Sequence, residues 1–198
     1  LSAKFSHPRN EKTTELYKKA GEAQAAKDAA KTVSILNKIV AADPADFIAW
    51  AQLGSLYFEQ ASFAEADAAF RKSLELKQEY VPAWINVGKM RLAQKQVEAA
   101  IEIFKHAASL DPKNARVRQL LGEAYLQAKM GTLGVEALNE AIRLDPIGMA
   151  ECHLLIARLY DLAGAKRMAA KEYRMFLEKV PNHAEKDKIE KYLKDNPE

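Results

Sequence analysis

The side chains that most often bind metal ions or act as nucleophiles are few in this chain and widely separated. The four histidines are His7, His106, His153 and His183, and the one cysteine is Cys152. No histidine has a second ligand at the spacing of a metal site, and Cys152 and His153, although adjacent, point in different directions on a helix. We therefore expect no metal ion and no cofactor.

Two pairs of glutamates at helical spacing are the remaining candidates for acid–base chemistry. Glu98 and Glu102 form one pair, and Glu136 and Glu140 form the other. Each pair shares one face of a helix, but neither has a predicted cleft or a partner group. The sequence also lacks a phosphate-binding glycine loop, a nucleophile elbow and a metalloprotease helix. We therefore expect no catalytic residues and no enzyme activity.

Composition limits the other classes of function. Thirty basic and 27 acidic residues among 198 give a formal charge of +3, which does not suggest binding to nucleic acid or to an anionic membrane. No apolar run reaches about 18 residues, so we expect no membrane insertion. The 48% hydrophobic content, with only 8 Gly and 7 Pro, predicts an all-α chain with a packed interior. A single cysteine excludes an intrachain disulfide.

The clearest helical pattern lies around Trp50. One helix face is formed by Trp50, Leu53, Gly54 and Tyr57, and a second by Phe63, Ala66, Phe70 and Ser73 or Leu74. Two short amphipathic helices therefore face each other, and Gly54 and Ala66 leave room where they cross. Such a hairpin cannot bury its apolar faces alone, so we expect neighbouring copies. If Trp50 and Trp84 lie in one continuous core, alanine at either should cost about 3–5 kcal/mol.

The pattern recurs at an interval of 34 residues. The next copy has Trp84, Val87, Gly88, Ala100, Phe104, Ala107 and Pro112, and the one after it has Arg118, Leu121, Gly122, Tyr125, Gly134, Leu138, Ala141 and Pro146. These residues resemble the tetratricopeptide repeat (TPR) family, whose repeats carry Trp, Leu-Gly, Tyr, Ala, Phe, Ala and Pro in this order. The resemblance implies an α-solenoid of antiparallel helix pairs, wound into a right-handed superhelix with a concave, ligand-binding surface.

The repeat register predicts the organisation of the chain. We expect an N-terminal tether over residues 1–12 and a single solenoid over residues 13–198. Its repeats are predicted at about 13–46, 47–80, 81–114, 115–148 and 150–183, with a capping helix at about 184–195. Asp-Pro steps at 43–44, 111–112 and 145–146 mark helix ends, because proline cannot continue a helix.

Both termini carry further signals. Asn10 fits the N-cap of the first helix, and Asn182 with Glu185 fits a capping box before the last. Leu1 and Phe5 fit either a plain tether or a strand-like segment that docks on a neighbouring surface. The chain begins at Leu1 rather than at methionine, which favours a processed protein or a fragment of a longer one. The compartment is unknown, since targeting information can lie upstream.

In the TPR family the first helix of each pair lines the concave surface. The resemblance assigns to this groove Tyr17, Ile48, Ser55, Phe58, Ile85, Lys89, Leu92, Arg116, Gln119, Glu123, Leu126, Leu154 and Arg158. Its apolar members would form a floor, and Lys89, Arg116 and Arg158 would meet acidic groups. An apolar helix or an extended segment with some acidic character is the implied ligand. Each apolar member also fits a second role, which is packing against the adjacent first helix.

One variety of the family binds the C-terminal carboxylate of heat-shock chaperones through basic residues and asparagines. Here Tyr17 and Gly21 stand where that clamp needs Lys and Asn, so we do not expect a chaperone tail. We expect a non-enzymatic scaffold that binds a protein or peptide of unknown identity. The alternatives are a spacer or self-association domain of a larger multidomain protein, and an assembly or regulatory domain of a fused or partner enzyme. The oligomeric state stays open.

Overall fold

The computed structural model describes residues 7–197, and this part of the chain contains eleven α-helices and no β-strand. They are α1 (Glu11–Ala25), α2 (Ala29–Ala42), α3 (Phe47–Glu59), α4 (Phe63–Leu76), α5 (Val81–Ala93), α6 (Val97–Leu110), α7 (Ala115–Gln127), α8 (Gly131–Leu144), α9 (Glu151–Leu162), α10 (Lys166–Lys179) and α11 (Lys186–Asp195). The all-α prediction is confirmed for these residues. The docking suggested for Leu1 and Phe5 lies outside them.

Helix ends recur at a nearly constant interval. The helices α3, α5 and α7 begin 34 residues apart. Five turns each hold one residue at positive φ, between 56° and 76°, and these residues are Lys27, Ala61, Lys95, Lys129 and Gly164. In the turn after α3, the Ser62 N–H donates to the Tyr57 carbonyl, as in a Schellman cap. Glycine is the residue that best tolerates this conformation, yet only the last of these turns has one.

Side-chain caps fix several helix starts. The predicted cap at Asn10 is confirmed, because its side-chain oxygen accepts the Thr13 N–H at 2.9 Å. The predicted capping box before α11 is wrong, since Glu185 is the N-cap and makes no side-chain cap bond. Its carboxylate instead accepts a hydrogen bond from Arg158 at 2.5 Å, and so it does not reach back toward Asn182.

The chain forms two compact units, one that ends at Lys95 and one that begins at Gln96. In the first unit, α1 to α3 enclose an apolar core that includes Leu36, Ile39 and Leu53, while Phe70 of α4 is fully buried with Ala66 and Met90. In the second unit, the core between α8 and α9 contains Leu138, Ala141, Cys152 and Ile156. A further cluster joins Phe176 of α10 to Ile189 of α11.

Glycine lets α3 and α4 approach closely, as the spacing predicts. A Cβ on Gly54 would lie 2.6 Å from the ring of Phe70. In the second unit, a Cβ on Gly122 would lie 2.7 Å from Leu138 Cγ and 3.1 Å from the carbonyl oxygen of Gly134. These positions exclude a larger side chain unless the neighbour moves.

The tryptophans are less enclosed than expected. Trp50 and Trp84 are both only partly buried. The indole N–H of Trp50 donates to the Pro44 carbonyl at 3.0 Å, and that of Trp84 donates to the Gln78 carbonyl at 2.7 Å. The indole N–H of each ring therefore forms its hydrogen bond near the protein surface. The aromatic side chain that is fully buried in this region is Phe70.

Candidate functional site

A cleft opens in the first unit between α1 and α3. It has a volume of about 250 Å³, and its walls are Tyr17, Ala20, Gly21, Gln24, Thr32, Leu36, Gln52, Ser55, Leu56 and Glu59. An adjoining hollow of about 220 Å³ shares Gln24, Thr32, Leu56 and Glu59 with it and extends to Lys27 and Ala29. The two hollows together form one elongated depression, which we call the α1–α3 cleft.

Gly21 keeps the α1 wall of this cleft open. A Cβ at this position would meet no atom within 4 Å, in contrast to Gly54, whose Cβ would strike the Phe70 ring. Glycine inside a helix destabilises it by about 0.5–1 kcal/mol relative to alanine. No packing contact therefore requires glycine at position 21, and its effect is to leave space in the cleft.

Tyr17 is a fixed aromatic wall at one end. Its hydroxyl donates to Asp46 Oδ2 at 2.8 Å, and the guanidinium carbon of Arg9 lies 3.6 Å from the centre of its ring. Burial, and then the charge of Asp46, raise the pKa of Tyr17 above its usual value. Asp46 is itself held, because its other oxygen accepts the N–H groups of Ile48 and Ala49. The ring is thus neutral and held in one orientation.

The base of the cleft is apolar and its rim is polar. Ala20, Leu36 and Leu56 line the cleft and are buried. On the rim, the Ser55 hydroxyl donates to the Ala51 carbonyl at 3.0 Å and accepts from Asn86 Nδ2 at 2.8 Å.

The remaining rim groups face solvent. Gln24, Gln52 and Glu59 line the cleft and are exposed. Amides both donate and accept hydrogen bonds, so such a rim suits the backbone of an extended peptide.

The structure brings together part of the predicted groove in the first unit. Tyr17 and Ser55 both line the α1–α3 cleft. Ile48 is buried in a core cluster with Phe47 and Tyr80, which corrects its assignment to an open floor. Ile48 is buried because this face of α3 packs against α5, which is the packing role that the sequence also allowed.

Four other predicted residues of this unit lie outside the cleft. Phe58 packs beside the cluster of Phe70 and Met90, with its ring 6.2 Å from that of Phe63. Ile85, Lys89 and Leu92 are partly exposed on α5. Ligand binding by these four residues stays a prediction.

The predicted residues of the second unit have mixed surroundings. Leu154 and Gln119 are buried, and ligand binding by them stays a prediction. Arg116 donates to the Gln119 side chain at 2.7 Å, and Arg158 pairs with Glu185 at 2.5 Å. Leu126 packs against α8, and Glu123 is partly buried. The basic groups predicted to meet an acidic ligand are thus partly engaged within the unit.

Two histidines lie within hydrogen-bond distance of carboxylates that sequence spacing does not reveal. His7 Nε2 lies 2.8 Å from Asp43 Oδ2, and one ligand atom each of His7, Asp43 and Asp46 lie within 4.8 Å of one another. His153 Nδ1 lies 2.7 Å from Glu172 Oε2. These partners are 36 and 19 residues away, so only the fold brings them together. The His7 contact holds the residues before α1 against the turn between α2 and α3.

Cys152 has the environment of a packing residue. It is fully buried between α8 and α9, and this burial, followed by the charge of Glu123, raises the pKa of its thiol to about 12. A thiol with so high a pKa does not form the reactive thiolate near neutral pH. Among residues 7–197, no helix has the length and apolar content needed to cross a membrane.

Comparison with known proteins agrees with the repeat architecture. Models of the tetratricopeptide repeat match residues 48–80 and 91–159, which together make up slightly more than half of the chain. The mouse mitochondrial import receptor subunit TOM70 is 24% identical over 174 residues, which cover 87% of this chain and 28% of that protein. The chain thus spans less than a third of the length of this curated relative.

Solved structures share the fold at low sequence identity. PilF of Pseudomonas aeruginosa matches with a TM-score of 0.79 and 21% identity, over 92% of this chain and 83% of that one. YrrB, described as a TPR protein with an unusual peptide-binding site, matches with a TM-score of 0.67 and 17% identity, over 87% of this chain and 88% of that one. The chain therefore belongs to the tetratricopeptide repeat family and folds as an all-α helical-repeat solenoid.

Proposed function

We propose that this chain is a non-enzymatic scaffold that binds an extended peptide or protein segment in the α1–α3 cleft. The observation that carries the proposal is the open wall at Gly21, a helix-interior glycine with no packing neighbour, opposite the exposed polar residues of α3. The peptide-binding site ascribed to YrrB supports this class of ligand for the fold.

The size of the cleft favours an extended segment over a docked helix. Its two hollows, of about 250 and 220 Å³, have room for one or two side chains each. An α-helix with its side chains is about 10–12 Å across and needs a wider trough. A bound segment would place apolar side chains on Leu36 and Leu56 and its backbone against Gln24 and Gln52.

The charges on the rim are balanced. Lys27 and Glu59 both line the smaller hollow, one with a positive charge and one with a negative charge. The preference for an acidic ligand rested on Lys89, Arg116 and Arg158, none of which lines the cleft. The proposed ligand is therefore defined by apolar side chains and backbone hydrogen bonds, with no strong charge requirement.

The test begins with a peptide ligand selected on the wild-type chain. A display library of random peptides supplies candidates, and fluorescence anisotropy measures the affinity of one labelled, selected peptide. Gly21→Trp should weaken this affinity about tenfold or more, or about 1.4 kcal/mol, because the indole fills the cleft. The absence of neighbours around Gly21 lets the variant fold.

The matched control is Glu22→Trp, which adds the same side chain to an exposed neighbour that lines neither hollow. It should leave the affinity within about twofold of wild type. Equal binding by both variants would place the ligand elsewhere. Failure to select any peptide, together with a solution mass that rises with concentration, would favour the self-association role instead.

A further inference from the structure

The second unit exposes apolar side chains around two of its turns. Six large apolar side chains are exposed among the described residues, and four of them surround the α7–α8 and α9–α10 turns. These four are Met130, Leu133, Leu162 and Met168, and we call them the turn patch. Leu162 is 87% exposed, whereas leucine is among the residues that are most often buried.

The two turns are neighbours. A Cβ on Gly131, the first residue of α8, would lie 3.7 Å from Leu159 Cδ2 on α9. Gly131 directly follows Met130, and Leu159 precedes Leu162 by about one helical turn. Leu133 and Met168 are each the third residue of their helices, α8 and α10. The four apolar side chains therefore belong to one edge of the second unit.

The same edge is positively charged. Lys166 is paired with Asp161 at 2.5 Å. The other cations of the two turns and of the first turns of α10 are Lys129, Arg167 and Lys171. All three are exposed, and none forms an ion pair with another described residue. The acidic side chains near these cations are Glu136, Asp161 and Glu172. Glu136 is exposed, whereas Asp161 is paired with Lys166 and Glu172 lies 2.7 Å from His153.

We propose that the turn patch docks an amphipathic helix of a protein partner, with an apolar face bordered by acidic residues. Leucine and methionine side chains adapt to the apolar face of such a helix, and methionine is common on surfaces of this kind. Lys129, Arg167 and Lys171 complement the acidic border and speed the encounter. This surface lies in the second unit, so the proposal stands independently of the α1–α3 cleft.

A membrane surface fits these residues less well. Segments that bind anionic lipids typically carry clusters of about 4–8 basic residues. The turn patch has three cations without ion pairs, and none of its four apolar residues is aromatic. The balance of charge and side-chain type therefore favours the acidic helix.

The test uses a labelled synthetic peptide and the whole chain. The peptide is an amphipathic helix of about 14 residues, with Leu at i, i+3, i+4 and i+7 and Glu on both flanks. A second peptide has Lys in place of each Glu. Fluorescence anisotropy should show binding of the acidic peptide, at least about tenfold weaker binding of the basic one, and weakening of the first by salt.

Variants locate the binding. Leu162→Asp combined with Met168→Asp should weaken the acidic peptide at least about tenfold. The matched control is Ile147→Asp, since Ile147 is 84% exposed but lies in the α8–α9 turn, and it should change the affinity less than about twofold. All three side chains are exposed, so each variant should keep the wild-type circular dichroism spectrum.

Several results would overturn the proposal. They are absence of binding by the acidic peptide, equal binding of the two peptides, and equal loss in the Ile147→Asp control. Flotation with phosphatidylserine vesicles that depends on Leu162, without peptide binding, would identify a membrane surface. A sedimentation coefficient that rises with concentration, and does not rise in the Leu162 and Met168 variant, would identify a second copy of this chain as the occupant.

Discussion

The helix pairs α3–α4 and α7–α8 have matching lengths and spacing, but they use different side chains at their crossings. In α3–α4, one glycine, Gly54, accepts the buried ring of Phe70. In α7–α8, both helices contribute a glycine, and Gly122 and Gly134 each face a leucine of the other helix. The two helices of a repeat thus pack closely where they cross, and more than one combination of large and small side chains allows this packing.

The two units also differ in what they leave at the surface. The first has a polar-rimmed cleft beside Gly21, and the second has an exposed apolar edge around Leu162. Both features lie at positions that packing does not constrain, because a Cβ at Gly21 would meet nothing and Leu162 is almost fully exposed. Both proposed binding surfaces therefore use residues that packing within the repeats leaves free.

The largest loss of stability is expected from a substitution in the core between α3 and α4. Phe70→Ala should lower the free energy of unfolding by about 3–5 kcal/mol, because the ring is fully buried and alanine leaves a cavity. Trp50→Ala should cost less, since its ring is only partly buried. Urea titrations followed by circular dichroism would measure both. A smaller loss for Phe70→Ala than for Trp50→Ala would contradict this account of the core.

Glycine substitutions should have opposite signs at two positions of the first unit. Gly54→Ala should lower the free energy of unfolding by about 1–3 kcal/mol, because the new methyl group strikes the Phe70 ring. Gly21→Ala, the matched control, should raise it by about 0.5–1 kcal/mol, because its methyl group is unobstructed. Combining Gly54→Ala with Phe70→Leu should recover part of the loss. Similar effects at the two glycines would refute the distinction.

The left-handed turns provide a comparison between the units. Ala61 has a φ of 58° and Gly164 has a φ of 76° in corresponding turns. Ala61→Gly should stabilise the chain by about 1 kcal/mol, and Gly164→Ala should destabilise it by a similar amount. Thermal and urea unfolding would both report the change. A loss of stability in Ala61→Gly would mean that flexibility of the unfolded chain outweighs the relief of backbone strain.

The smallest effect concerns an ion-pair network between α4 and α5. Burial alone would raise the pKa of Asp67, but the hydrogen bonds and charges of Arg71 and Arg91 outweigh it and hold that pKa below its usual value. Both arginines lie 2.6 Å from its carboxylate. A lowered pKa stabilises the folded state above the unfolded pKa of about 3.9, and this contribution is lost as the pH falls through the folded value.

The Asp67→Asn variant isolates that contribution. At neutral pH it should be less stable than wild type by about 0.2–1 kcal/mol, because the groups are partly exposed. The difference should begin to shrink below about pH 4, where the carboxylate of the unfolded chain becomes protonated, and should be lost below the lower pKa of the folded state. Urea titrations at a series of pH values would measure it. A difference that stays constant down to about pH 2 would show that the ion pairs are not its source.

The sequence predicts the scaffold better than the surface. Helix class, the cap at Asn10 and the close approach at Gly54 all follow from local spacing, because they depend on residues three or four apart or on the adjacent helix. The burial of Ile48 and Leu154 does not follow, because spacing alone cannot distinguish a residue that packs against a neighbouring helix from one that lines a groove. Only the structure separates the two roles.

Sequence spacing also does not predict contacts between residues that lie far apart in the chain. The Asp43 neighbour of His7 and the Glu185 partner of Arg158 lie 36 and 27 residues away and depend on how successive helices stack. The cleft itself had one signal in the sequence, because a glycine within a helical pattern, as at position 21, is costly unless it has a role.

The most direct test of the α1–α3 cleft is amide chemical-shift mapping of the ¹⁵N-labelled chain with a peptide selected for binding. The account predicts that the largest shifts occur on the facing surfaces of α1 and α3, at Gly21, Gln24, Ser55 and Glu59. Shifts concentrated in the second unit, or on the outer faces of α2 and α4, would contradict it and place the ligand on another surface.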